Sequence, residues 1–133
     1  MREPVTFPVV DGLRVLELGT PGEMRARLNA LVLGGRKRAT AGTTDEYDTN
    51  AYEQVGERLA LVDDNLRRIG VVEVTATALT TFVDVPWSFA QAEGEGDRSI
   101  EEWHDGHRRF WSAEEVHVTD DLAVFLIYFS LVD

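Results

Sequence analysis

Cysteine is absent from the 133-residue sequence. A disulfide framework and a thiolate metal site are therefore excluded, which fits a cytoplasmic protein. Long hydrophobic runs are also missing, and the apolar stretch LAVFLIYFSLV at 122–132 is well short of the roughly 20 residues that a membrane span needs. The first residues, MREPVTFPVV, lack the apolar run and cleavage site of a secretory signal. We therefore expect a cytoplasmic protein with no membrane partner.

Basic residues are scarce, with 13 Lys and Arg against 24 Asp and Glu and a formal net charge of -11. Contact with phosphates depends largely on electrostatic attraction, so this balance argues against DNA or long RNA as a general partner. A small basic pocket can still hold one nucleoside or nucleotide, because charges act strongly at short range. The sequence also contains no P-loop, no GxGxxG and no GxSxG motif.

Composition and patterning predict a single α+β domain over residues 1–133. The apolar fraction of 44% and the charged fraction of 28% are ordinary for a globular protein. Apolar periodicity and turn residues indicate strands and helices that are not strictly interleaved, which favours a small β-barrel with two or three flanking helices. The strands are expected at 12–19, 58–63, 68–83 and 122–132, the helices at 20–35, 85–96 and 99–114, and a long polar loop at 40–57.

The clearest helix signals lie in TPGEMRARLNALVLGG at 20–35. Thr20 and Glu23 have the spacing of a capping box, Pro21 would take the first helical position, and Gly34 and Gly35 would end the helix. The residues expected to face the core are Met24, Leu28, Leu31 and Val32.

Two further patterns predict which side chains face inward. In the helix at 99–114, Ser99 and Glu102 have capping-box spacing, and Trp103 and His107 should face the protein while Glu101 and Arg108 face solvent. In the strand at 68–83, alternation places four small apolar residues on one face: Val72, Val74, Ala76 and Ala78.

A compact basic cluster, GGRKRATAG at 34–42, follows the first helix. A threonine hydroxyl is a weak nucleophile until a base activates it, and Lys37 lies three residues before Thr40. A lysine can act as a base only in its neutral form, which burial and the neighbouring Arg36 and Arg38 would favour. The spacing alone is more typical of a solvated basic turn at a helix end.

Acidic and histidine side chains supply the remaining candidates. Glu93 lies at a predicted helix end followed by glycines, where it could reach a pocket or simply face solvent. Asp97 and Arg98 are candidate substrate-binding residues with Arg36 and Arg38, or they only set the entry of the next helix. Glu101, His104 and His107 could form a ligand set, but their spacing is weaker than that of a zinc motif, so we expect no metal and no cofactor.

Taken together, these segments resemble the ASCH domain family. The resemblance runs from about Gly12 to Val132. Its most specific parts are a G-x-K-x-x-T signature at 35–40 and the run AEGEGDRSIEEW at 92–103. It implies a PUA-like fold, a small open β-barrel with helices at its side.

The resemblance also implies three alternative functions. Small bacterial members are similar to amidohydrolases that deacetylate N4-acetylcytidine, and by position their lysine, threonine and glutamate fall on Lys37, Thr40 and Glu93. Other members resemble RNA-binding modules or ribonucleases, the latter gripping phosphate with Arg36, Lys37 and Arg38. This chain is longer than the small amidohydrolases and adds GDRSIEEWHDGHRRFW at 96–111, which leaves its substrate open. We expect a small nucleoside or nucleotide ligand, with RNA as an alternative and the oligomeric state undetermined.

Overall fold

The computed structural model describes residues 8–43 and 52–132. Its strands are β1 (Val9–Val10), β2 (Leu13–Leu16), β3 (Ala39–Thr43), β4 (Arg58–Val62), β5 (Arg68–Thr81) and β6 (Ala123–Leu131). Its helices are α1 (Glu23–Leu33), α2 (Trp87–Glu93) and α3 (Ile100–Ala113), and a 3₁₀ turn spans Phe82–Asp84. No helix in these two ranges is long and apolar enough to cross a bilayer.

The strands form one mixed sheet in the order β1-β2-β4-β5-β6-β3. β2 and β4 run parallel, and the other neighbouring pairs run antiparallel. Since β1 and β3 lie at opposite ends of this order, the sheet is open rather than closed. The α+β class, the open sheet and the three helices predicted from the sequence are confirmed.

The beginning of the predicted 40–57 loop is a strand, so that boundary was wrong. β3 pairs with β6, with Thr40 opposite Ile127 and Thr43 opposite Val124. The segment TAGT has few large apolar residues, but its backbone groups are satisfied by the edge of β6, and this pairing overrides its weak intrinsic preference. The remainder of the predicted loop lies at 44–51, outside the described residues, and at 52–57.

A β-bulge overturns the predicted face of β5. Val72 and Val74 are buried, but Ala76 and Ala78 are exposed. The register against β6 shifts between Val74 and Ala76. One extra residue in a strand reverses the alternation of every side chain beyond it, which explains the exchange of faces.

The predicted start of α1 was also wrong. Gly22, with φ +104°, is the N-cap, and no side chain caps the helix. The backbone N–H of Gly22 donates instead to Asp64 Oδ2 at 3.0 Å, and this contact replaces the expected Thr20–Glu23 capping box. The rest of the prediction is confirmed: the four residues chosen from the periodicity are buried or pack against the core, and the helix ends before Gly35, with φ +79°.

The two C-terminal helices agree with their patterns. Ser99 Oγ accepts from the backbone N–H of Glu102 at 3.1 Å, and Gly94 ends α2 in a left-handed conformation. Trp103 is fully buried and His107 is partly buried, with 17% of its side chain exposed, whereas Glu101 and Arg108 are exposed, as predicted.

The core has two main parts. One joins α1 to the sheet through residues such as Leu28, Leu61 and Phe129. The other joins α2 and α3 to β3 and β6 and contains four buried aromatic rings: Phe82, Phe89, Trp103 and Trp111. The segment from Gly34 to Ala39 runs from α1 into β3 and therefore links the two.

Candidate functional site

The turn after α1 directs Lys37, the only lysine of the sequence, into the protein. The backbone N–H groups of Arg36 and Lys37 both donate to the carbonyl of Leu31. The N–H of Arg38 donates to Ala92 in α2, and its carbonyl accepts from Phe129 in β6. Held on both sides, the segment buries the Lys37 side chain to 1% exposure while Arg36 and Arg38 remain exposed.

Three oxygen atoms surround the Lys37 ammonium. Nζ lies 2.7 Å from the carbonyl oxygen of Ala39, 2.7 Å from Glu95 Oε2 and 3.3 Å from Glu93 Oε2. An ammonium has three donors and no acceptor, so these contacts satisfy it completely. A buried charge without such partners would be strongly unfavourable.

Glu93 is equally well enclosed, at 2% exposure. Its Oε1 accepts from the indole Nε1–H of Trp103 and lies 3.4 Å from Nε2 of His107. Burial raises the pKa of Glu93 to about 7, against the opposing charge of Lys37 and with the help of the Glu95 charge. The carboxyl can therefore exchange a proton near neutral pH.

The pKa of Glu95 is shifted in the opposite direction from that of Glu93. Burial acts to raise the pKa of this carboxyl, but the charge and hydrogen bond of Lys37 outweigh burial, and the pKa is lowered. Two neighbouring carboxyl groups whose pKa values are pushed apart are a common basis for acid–base chemistry. Here Glu95 stays ionised as the counterion of Lys37, and Glu93 is the carboxyl able to carry a proton.

Thr40 lines a cavity of about 250 Å³ together with Glu93, Glu95 and His107. β3 positions this threonine, which is half-buried. A second cavity of about 350 Å³ shares Thr40 and also contains Arg25 and Glu53. The two cavities share five residues: Gly19, Thr40, Ala41, Phe110 and Trp111.

Two of the three candidate catalytic residues are in direct contact, and the third shares a cavity with one of them. Lys37 contacts Glu93, and Glu93 and Thr40 line one cavity, although 53 positions separate them in the sequence. Asp97 lines the same cavity, and burial raises the pKa of its carboxyl.

The other three predicted binding residues do not line this cavity. Arg36 lines a separate surface groove. Arg27 lines that groove as well as the cavity. Arg38 is exposed. Arg98 is mostly exposed and pairs with Glu102 at 3.2 Å. The basic cluster is therefore one inward cation between two outward ones.

Two site residues were not identified from the sequence, Glu95 as counterion and His107 as neighbour of Glu93. Glu95 follows Glu93 by two positions across a glycine, and this spacing alone does not show that both carboxyl groups face Lys37. His107 lies four residues after Trp103, so the helical period that turned the indole inward was the available signal. His104 Nε2 lies 3.0 Å from the Phe82 carbonyl. Across the described ranges, no group of three acidic or histidine side chains is arranged to hold a metal ion.

Comparison with known proteins gives the family. The sequence profile of the ASCH domain matches residues 15–133. The fold is similar to that of an ASCH domain from Lactobacillus crispatus, with a TM-score of 0.77, 24% identity, and 88% of this chain and 77% of that chain covered. A protein from Enterococcus faecalis is 26% identical, with a TM-score of 0.75 and coverage of 88% and 74%.

An ASCH protein from Zymomonas mobilis is more distant, with 13% identity, a TM-score of 0.51, and coverage of 81% and 62%. No curated protein matches the sequence. Because the profile spans nearly the whole chain and the solved structures share its architecture, this chain belongs to the ASCH domain family and has its PUA-like fold.

Proposed function

We propose that this protein is an amidohydrolase that removes an N-acyl group from a cytidine-type nucleoside, with Lys37, Thr40 and Glu93 as its catalytic residues. The observation that carries the proposal is the buried contact of Lys37 with Glu93 beside a cavity that Thr40 lines. Nucleophilic acyl transfer needs a hydroxyl and a base that can activate it, and here a Lys–Glu pair and a threonine meet at one cavity.

The first half-reaction forms an ester on Thr40. The acting form of the pair has its proton on Glu93, which the raised pKa of Glu93 favours near neutral pH, and a Lys37 that is neutral and can serve as the base. Lys37 takes the hydroxyl proton as the Thr40 oxygen bonds to the acyl carbon. The carbon–nitrogen bond then breaks, and Glu93 gives its proton to the departing amine.

The second half-reaction restores the enzyme. A water molecule attacks the ester carbon and gives one proton to the Glu93 carboxylate. The bond from carbon to the Thr40 oxygen breaks, and Lys37 returns the proton to that oxygen. The products are the carboxylic acid and the free amino nucleoside, and all three side chains regain their starting forms.

The lining of the site favours a small neutral substrate. Glu93, Glu95 and Asp97 line the cavity with Thr40, and the net charge is -11, so a chain of phosphates would be repelled. Asp97 is placed to accept a hydrogen bond from an amine or hydroxyl of the substrate. A ribonuclease that grips phosphate jointly with Arg36, Lys37 and Arg38 is less well supported, because Lys37 is buried.

One observation favours a second candidate, a nucleoside-binding module without chemistry. All three donors of Lys37 are engaged by protein oxygens, as in a purely structural ion pair. In that case the cavity would bind the same class of ligand and leave it intact.

The test is turnover of N4-acetylcytidine and related acylated nucleosides by wild type, Lys37→Ala, Thr40→Ala and the double variant. Each single change should lower kcat/KM by at least about 100-fold, since each removes a group used in the transition state. The double change should cost little more, because the residues act as one unit.

The exposed Thr75 provides a matched control, and Thr75→Ala should retain wild-type turnover. Arg38→Ala should at most raise KM. Full activity of Thr40→Ala would exclude the nucleophile role. Stabilisation by an acylated nucleoside without any turnover would support the binding module instead, because a ligand bound only to the folded state raises its stability.

A further inference from the structure

His107 occupies the side of Glu93 opposite Lys37. Its Nε2 lies 3.4 Å from Glu93 Oε1, and its Nδ1 lies 3.0 Å from the backbone carbonyl of Trp103. The imidazole stacks on the indole of Trp103 with ring centres 4.0 Å apart and an interplanar angle of 20°. The ring is therefore fixed in position by a hydrogen bond and by stacking.

These contacts determine where the imidazole protons lie. A carbonyl oxygen can only accept, so Nδ1 must carry a hydrogen to bond to the Trp103 carbonyl. In a neutral ring Nε2 is then an acceptor that faces the carboxylate oxygen of Glu93. Two acceptors at 3.4 Å repel each other unless one hydrogen lies between them.

We propose that Glu93 and His107 share one proton, and that His107 is a positioning residue that keeps Glu93 supplied with it. Either Glu93 is protonated and donates to Nε2, or His107 is cationic and donates to Oε1. The catalytic consequence rests on the proposed function, since Glu93 there protonates the departing amine, but the shared proton itself does not.

Some groups around the His107 ring disfavour its cationic form, and others favour it. Burial lowers the pKa of His107, and the nearby Lys37 adds to this effect, while Glu95 and Asp97 counteract it. Trp111 packs edge-on at 5.2 Å and contributes no charge. The groups that face the ring or share its cavity from other elements are Arg27 of α1, Lys37, Glu93 of α2, and Glu95 and Asp97 of the following turn.

His107 also offers a path for the proton. Its side chain keeps 17% exposure and lines the cavity, whereas Glu93 keeps 2%. A proton that the imidazole takes up from the cavity can therefore pass to Glu93, which lines the same cavity but is less exposed.

The experiment is NMR titration of the imidazole on ¹⁵N-labelled protein. The chain has three histidines, and the spectrum of His107→Gln assigns the signal of His107. In wild type the ¹⁵N shifts should show a protonated Nδ1 in the neutral state, which is the less common tautomer of free histidine. This part needs no change at the site, so it stands even where a variant folds poorly.

Replacement of Glu93, the partner of His107, provides the second part of the experiment. Glu93→Gln removes the negative form of the partner, so the pH midpoint of His107 should fall by about one unit or more. Asp97→Asn is the matched control, because Asp97 acts on His107 only through a weaker charge interaction, and it should cause a smaller fall.

A neutral His107 that carries its hydrogen on Nε2 would overturn the proposal. A midpoint of His107 that moves no more in Glu93→Gln than in Asp97→Asn would do the same. In turnover, His107→Gln should lower kcat about 10-fold with little change in KM, and should shift the pH profile. If wild type hydrolyses no acylated nucleoside, the proposed function fails, while the titration still decides whether the proton is shared.

Discussion

In the part of the chain that the structure describes, two cations are buried, Arg25 and Lys37, and their surroundings differ. Arg25 donates to the backbone carbonyls of Leu18 and Gly19 at 3.0 and 3.1 Å. Its two carboxylate partners, Glu17 and Asp64, are 38% and 44% exposed. The carboxylate partners of Lys37 are instead only 2% and 17% exposed.

The difference separates an ion pair that water screens from one that is largely shielded from water. Water screens the partners of Arg25, so that group only ties the start of α1 to the neighbouring turn. Beside Lys37, water is largely excluded, and one carboxyl has a pKa of about 7. Burial of the anion, rather than burial of the cation, is what gives the second site a proton that can move near neutral pH.

The largest expected effect comes from removal of each cation in turn. Lys37→Met leaves two carboxyl groups facing each other in a buried position, and the free energy of unfolding at pH 8 should fall by about 3–5 kcal/mol. Arg25→Met leaves two carbonyls unpaired beside solvated acids and should cost about 1–3 kcal/mol.

Urea unfolding at pH 8 and pH 5 measures both variants. At pH 5 the deficit of Lys37→Met should shrink, because protonated Glu93 no longer repels Glu95. Equal losses for the two variants, unchanged between the two pH values, would contradict the distinction between the sites.

The second effect is the pH dependence of stability. A carboxyl whose pKa is higher in the folded state binds more protons there, so its contribution is fully present below the unfolded pKa of 4.5 and is lost as pH rises through about 7. At ~1.4 kcal/mol per pKa unit, this loss is at most about 3–4 kcal/mol. His107 acts in the opposite direction, since its lowered pKa gives stability that is lost as pH falls.

Glu93→Gln removes the contribution of Glu93, together with its effect on the pKa of His107, which acts in the same direction. We expect the decline in stability between pH 5 and 8 to be smaller in this variant. Asp64→Asn, which removes a solvent-exposed partner of Arg25, should leave the decline as it is in wild type. A Glu93→Gln curve parallel to that of wild type would place the pKa of Glu93 in the ordinary range.

The elements of the fold follow from local pattern, and the errors have local causes. Alternation and turn residues identified β4, β5 and β6, and helical spacing identified three helices. β3 was missed because its pairing with β6 comes from another part of the chain. The exchange of faces after Val74 was not predicted, because the alternating small residues of β5 look the same in the sequence with or without a bulge.

The candidate site was less predictable from local sequence pattern than the elements of the fold. Spacing alone left Lys37, Thr40 and Glu93 as ambiguous as a solvated turn and a surface carboxylate, and the resemblance to a family brought them together. The contact of Lys37 with Glu95 and that of Glu93 with His107 depend on how α2, α3 and the 34–39 turn meet. Those distances are set by tertiary packing, which no periodicity contains.

The smallest expected effect concerns Gly94, which sets the approach of the two carboxyl groups to Lys37. Gly94 has φ +65°, and a Cβ there would lie 2.3 Å from the carbonyl oxygen of Arg36 and 3.1 Å from the backbone nitrogen of Lys37. Gly96 also has a positive φ, of +98°, but a Cβ there meets nothing within 4 Å. Alanine is strained at both positions, so the difference between Gly94→Ala and Gly96→Ala isolates the close contact.

Gly94→Ala should lose about 1–3 kcal/mol more of its free energy of unfolding than Gly96→Ala, in thermal or urea unfolding, because the backbone of Arg36 cannot move without displacing Lys37. Equal losses would show that the turn has room to relax, and that the contact of Lys37 with Glu93 and Glu95 does not depend on a glycine at position 94.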